Sequence, residues 1–101
     1  MTEAIYTLGA WRIKPGKEAE FIEAWKGLSG VFSQLEMPPG GHGTLVQSLA
    51  DPLLFYSWGE WPSLEAIKAM RLDPTAQEAI RKVGELCAEA TPGTYKVVAI
   101  E

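Results

Sequence analysis

The chain has 101 residues, of which 47% are hydrophobic and 22% charged, and it carries a net charge of −4. That length supports one domain with a thin core, expected to bury roughly 60–65% of the unfolded surface. Without a Lys/Arg cluster, an acidic chain has little to offer the phosphates of a nucleic acid or an anionic membrane.

Residues 4–14, AIYTLGAWRIK, are predicted to form a first strand. Ile5, Thr7, Trp11 and Ile13 share one face, and Tyr6, Leu8 and Ala10 share the other. Pro15-Gly16 ends it with a turn. Residues 17–35 follow as a helix, with Phe21, Trp25, Leu28, Phe32 and Leu35 in one apolar stripe at steps of four and three. Glu18, Glu20, Glu23 and Lys26 fall largely off that stripe. The loop MPPGGHG (37–43) holds too many prolines and glycines to be helical. A second strand is predicted over 44–50, a turn at Asp51-Pro52, and a third strand over 53–61, LLFYSWGEW. Ser63 is the expected N-cap of a short helix, 64–71, with Leu64, Ile67 and Met70 as its apolar edge. Asp73-Pro74 restarts the helix, which is predicted to run to about Ala90 on a stripe of Ile80, Val83 and Cys87. Thr91-Pro92-Gly93 is expected to end it, and 94–100, TYKVVAI, to form the last strand.

The order is β-α-β-β-α-β over a single domain, 1–101, with the second helix broken near Asp73-Pro74. This predicts an α+β, ferredoxin-like fold: four antiparallel strands with helices on one face. Helices cover only one side of such a sheet, yet the first and third strands are apolar on both. A second cover is needed, and another copy of the chain supplies it, so a homodimer packed through the sheet face is expected. In LLFYSWGEW, Phe55 and Trp61 are expected to face the helices, and Tyr56 and Trp58 the second subunit.

This order resembles the antibiotic biosynthesis monooxygenase family, of the dimeric α+β barrel group. The resemblance rests on WRIKPGKEAEFIEAW (11–25), SLADPLLFYSWGEWPSLEAI (48–67) and the closing TYKVVAI, and covers nearly the whole chain. It implies a ligand cavity between sheet and helices in each subunit. Enzymes of the family include cofactor-independent oxygenases of anthrones and quinols, and haem-degrading enzymes. The haem-degrading branch uses an Asn on the first strand and a Trp and a His ten residues apart. Met70 and Ile80 stand where that Trp and His would be, and this chain has no Asn.

His42 is the single histidine, and so the one side chain that titrates near neutrality without special help. It is the candidate general base, taking a proton from a phenol or quinol; an exposed loop residue is the plainer alternative. Trp11, Trp25, Phe32, Phe55 and Trp61, with Met70, are candidates to line a pocket for a small apolar or aromatic ligand, the alternative being ordinary core. Tyr6, Tyr56 and Tyr95 are weighed as hydrogen-bond donors to such a ligand. Arg12, Arg71 and Arg81 are weighed to position an anionic group, with Arg71 at the helix break foremost and plain surface solvation as the alternative. Cys87 reads as a structural thiol. One His and one Cys make no standard zinc or iron site, no nucleotide-binding glycine motif is present, and no cofactor is expected. No apolar run reaches the ~18 residues of a membrane span, and MTEAIYTLGAW lacks the pattern of a leader. With a single cysteine, which excludes an internal disulfide, these points predict a cytoplasmic location. The function expected is a small cofactor-independent monooxygenase of an aromatic or quinol-like compound. A non-catalytic dimeric ligand-binding or structural module is the alternative.

Overall fold

The computed structural model describes residues 4–101, so the first three residues of the MTEAIYTLGAW stretch lie outside it. In chain order the elements are β1 (Ile5–Ile13), α1 (Glu18–Phe32), β2 (Thr44–Gln47), β3 (Leu54–Trp61), α2 (Leu64–Leu72), α3 (Pro74–Glu85) and β4 (Cys87–Lys96). The strands form one antiparallel sheet in the order β2-β3-β1-β4. This is the ferredoxin-like α+β arrangement that the sequence predicts.

Local chemistry accounts for the joints. Gly16 has a φ of 85°, a region that penalises any residue with a Cβ, and its N–H donates to Glu18 at 2.8 Å as the chain turns into α1. The hairpin between β2 and β3 is tied through Asp51. Its carboxylate accepts from Arg12 at 2.9 Å and from the Leu53 N–H at 3.1 Å, which holds its pKa below the usual carboxylate value. Ser63 caps α2 by accepting the Ala66 N–H at 3.1 Å, and Asp73 caps α3 by accepting the Ala76 N–H at 2.9 Å. Pro74 at the first position of α3 cannot donate backward, so the helix breaks where expected.

The core lies between the sheet and the helices in two parts. Trp11, Ile13, Phe21, Leu28, Phe55, Val83 and Cys87 form one cluster. Trp61, Ala66, Ile67, Met70 and Ala76 form the second, and Phe32 and Ile80 pack against both. Phe21 is the keystone of the first cluster, its ring centroid 5.6 Å from Trp11 and 5.1 Å from Phe55.

The other face of the sheet is bare in the single chain. Leu8, Val46, Tyr56, Trp58 and Tyr95 are exposed there, with Trp58 opposite Leu8 and Val46 opposite Tyr56. Phe55 and Trp61 are buried against the helices, so the two faces of LLFYSWGEW sort as expected. The shortest dimension, 18 Å, admits one sheet and one helix layer.

The end of the chain differs from expectation. Helix α3 stops at Glu85 rather than near Ala90, and β4 begins at Cys87 rather than at 94. Ile80, Val83 and Cys87 do fall at helical spacing, but β1 needs a hydrogen-bonding partner along its whole free edge. Residues 87–96 supply it, from Ile13 opposite Cys87 to Ile5 opposite Lys96. Pro92, expected to end a helix, sits inside β4, where an edge strand tolerates a missing donor. Two other ends are shorter than predicted: α1 stops at Phe32 and β2 at Gln47.

Truncation of Phe21 tests the core directly. Phe21→Ala should lower unfolding free energy by about 3–5 kcal/mol, read from the urea midpoint at unchanged m-value.

Candidate functional site

Two tryptophans on the helix side of the sheet carry polar atoms into the core, and each finds a partner. The Trp11 Nε1–H donates to Ser57 Oγ at 2.8 Å, across the β1–β3 pair. The Trp61 Nε1–H donates to Thr7 Oγ1 at 3.2 Å. The Trp11 indole lies back over Gly9, where an added Cβ would stand 2.9 Å from Nε1. Glycine at position 9 therefore lets the ring lie flat on the strand.

Next to this ring the helix layer falls short of the sheet. On the face of β4 shared with Trp11, Gly9 and Thr7, the register places Ala90, Pro92 and Thr94. All three are exposed although they face the helix side. The result is an uncovered strip along the β1–β4 edge. It is closed at one end by Cys87, buried opposite Ile13, whose thiol donates to the Val83 carbonyl at 3.5 Å. Burial pushes that thiol's pKa up, which keeps it protonated and inert.

Arg71 spans the other end. It leaves the last turn of α2 and its Nη2 donates to Thr94 Oγ1 at 3.0 Å. Its own carbonyl accepts from Gln77 Nε2 at 2.7 Å, which pins the corner between α2 and α3. The other two arginines are neutralised. Arg12 pairs with Asp51 at 2.9 Å, and Arg81 with Glu78 at 2.6 Å and with Glu85. Among the described residues no carboxylate pairs with Arg71.

The expected contact residues divide. Trp11, Phe55, Trp61 and Met70 are buried in the two clusters, while Trp25 and Phe32 on α1 are half-buried beside them. Phe32 meets Trp61 edge-on at 5.4 Å. Arg71 stands apart from these, at the strip. His42 is exposed in the loop before β2 and makes no hydrogen bond or ion pair among the described residues. The loop itself is anchored on either side of it. The Gly40 N–H donates to the Glu60 carbonyl at 2.9 Å, and a Cβ at Gly43 would stand 3.3 Å from the Trp25 ring. Gly43, Gly59, Thr7 and Thr94 lie in one row across the sheet, so Gly43, the neighbour of His42, is about 14 Å from Thr94 by strand spacing.

Tyr6, Tyr56 and Tyr95 all lie on the outer face, with Tyr6 opposite Tyr95, and none reaches the helix side. Two hollows, of about 390 and 450 Å³, open between α1 and α3 around Val31 and Thr75, and no expected contact residue lines either. Ser57, Thr7, Pro92 and Thr94 escaped the sequence reading. The signal for the first two was present: two tryptophans on one face require two acceptors, and these are the hydroxyls at matching parity.

The model of the antibiotic biosynthesis monooxygenase family matches residues 4–82. The chain belongs to that family. No curated protein sequence gives a significant match. Among solved structures, a Bordetella bronchiseptica protein assigned to the same family superposes with a TM-score of 0.82 at 20% identity, covering 97% of this chain and 100% of that one. SnoaB of Streptomyces nogalater, a cofactor-independent oxygenase, superposes at 0.84 with 13% identity, covering 98% and 97%. A conserved protein of Methanosarcina mazei Go1 gives 0.75 at 20% identity, covering 92% and 91%. At these identities the likeness concerns the fold. Among the described residues no helix is long and apolar enough to cross a membrane.

The Trp11–Ser57 pair gives a test. Ser57→Ala leaves a buried indole N–H without a partner and should cost about 1–3 kcal/mol in urea unfolding. Adding Trp11→Phe should make the double variant less destabilised than the sum of the single changes.

Proposed function

We propose that the protein is a small cofactor-independent monooxygenase acting on an aromatic or quinol-like compound. The observation that carries this reading is the strip beside Trp11: uncovered sheet on the helix side, flanked by a buried indole, in a chain of this family. SnoaB, described as a cofactor-independent oxygenase, shares the fold and supports the same reading.

The chemistry asks little of the protein. The substrate loses a proton, and its anion carries the electrons to oxygen. For a methylene flanked by aromatic rings, one oxygen atom becomes the new carbonyl and the other leaves as water with the two hydrogens. The protein supplies a dry apolar surface, orientation and a proton acceptor. His42 is the proposed acceptor. It lies in the loop before β2, at the edge of the sheet opposite β4.

The working unit we propose is a homodimer, joined through the face that carries Leu8, Val46, Tyr56 and Trp58. A second reading, a non-catalytic ligand-binding or structural module of the same fold, is favoured by one feature. Trp11, Phe55, Trp61 and Met70, the residues expected to contact a ligand, pack largely against one another.

Oxygen uptake with a panel of anthrones and hydroquinones separates the two readings. Turnover is expected with at least one compound, and His42→Ala should slow it by about 10²–10⁴-fold if the imidazole is the base. Equal rates would remove His42 from the mechanism, and no uptake with any compound would favour the module. For the assembly, light scattering at micromolar concentration should give about twice the chain mass of 11.1 kDa. Trp58→Glu, which sets a charge at the centre of the proposed interface, should give the monomer mass.

A further inference from the structure

The aromatic ligand of the proposed site should carry a negative charge, and we infer that Arg71 is the residue that selects it. The inference rests on the reading of the strip as the ligand site, and adds the substrate class: a flat aromatic bearing a carboxylate or an ionised hydroxyl.

Three observations point this way. First, Arg71 is the one arginine with no carboxylate partner among the described residues, whereas Arg12 and Arg81 are each paired. Its hydrogen bond goes to a neutral hydroxyl, Thr94 Oγ1, at 3.0 Å. A guanidinium offers five N–H donors in a planar fork that fits an oxyanion two bonds at a time, and a hydroxyl uses one of them. Second, the arm is aimed. Gln77 donates to the Arg71 carbonyl at 2.7 Å, so the backbone from which the side chain reaches is fixed at the corner of α2 and α3. Third, the floor next to the guanidinium carries no carboxylate, and Lys96, two residues on from Thr94 on the same face, is a further cation. Thr94, Pro92 and Ala90 on β4, and Thr7, Gly9 and Trp11 on β1, share the helix-side face. A ring laid on Pro92 and the Trp11 edge would bring a substituent to Thr94, where Arg71 stands. The charged oxygen would then replace the threonine hydroxyl as acceptor, exchanging a neutral hydrogen bond for a charge-assisted one.

This makes Arg71 a specificity residue. It also suits the chemistry of the site, because a cation beside an ionised hydroxyl favours the anion that reacts with oxygen.

Quenching of tryptophan emission by an anthraquinone carboxylate and by its neutral carboxamide tests the inference on the whole chain. Wild type should bind the carboxylate about tenfold more tightly, and the preference should shrink as salt is added. Arg71→Gln should abolish the preference by weakening carboxylate binding alone. Arg71→Lys should keep part of it, since the charge remains without the planar fork. Thr94→Val, which removes only the neutral acceptor, should keep the preference. Carboxylate and carboxamide bound equally by wild type would overturn the inference and leave the aromatic site standing. An equal loss of both ligands in Arg71→Gln, or loss of the preference in Thr94→Val, would show that the arm merely holds β4 in place, and would overturn it as well. Binding of neither probe would overturn the aromatic-site reading and the inference with it. Acetate, displacing the anthraquinone carboxylate at equal concentration, would reduce Arg71 to a general anion contact and overturn the claim for an aromatic.

Discussion

A central pair of strands that is apolar on both faces governs the rest of this molecule. β1 and β3 each send large side chains to both sides, while the chain supplies one layer of helices. The helix-facing set, Trp11, Ile13, Phe55 and Trp61, is buried. The opposite set, Leu8, Tyr56 and Trp58, is left in water. At about 25 cal/mol per Å² of apolar surface, leaving that face uncovered forgoes several kcal/mol. In the proposed homodimer the outer face would carry the assembly and leave the strip beside Trp11 uncovered.

Much of this was legible in the sequence, and the reason lies in period. Alternation along LLFYSWGEW separates Phe55 and Trp61 from Tyr56 and Trp58, and the sheet register keeps that separation. Ser63 and Asp73-Pro74 mark helix starts through chemistry that acts within four residues, so no tertiary knowledge is needed. The end of α3 was not legible. Ile80, Val83 and Cys87 satisfy a helical stripe, and the hydrogen bonds that β1 demands along its free edge override it. Cys87 is buried in either reading, which is why its position carried no warning.

The candidate site follows the same division. Aromatic residues were legible as bulk, but their partition between filling the core and lining a strip depends on where the helix layer stops. That boundary is set by the close of α3 at Glu85 and by the small residues Ala90 and Pro92 that follow on β4. His42 was conspicuous by chemistry and stands alone in geometry, whereas Ser57 and Thr7 were inconspicuous and sit at the polar centre of the core. Arg71 is distinguished by what its fellow arginines do. Two of the three are paired with nearby carboxylates, and the third reaches to a neutral hydroxyl on a face of β4 that carries no carboxylate.

Pro92 has a consequence beyond the site. β4 and β2 are the two edges of the sheet, and open edges invite a further strand from a neighbouring molecule. β2 offers only the four residues Thr44–Gln47. β4 is longer, but the proline interrupts its row of N–H donors midway, so an incoming chain cannot zip along its full length. Growth of the sheet sideways into a fibre is thereby discouraged at both edges. In the proposed homodimer, association would run instead through the outer face, where two copies meet and the process stops.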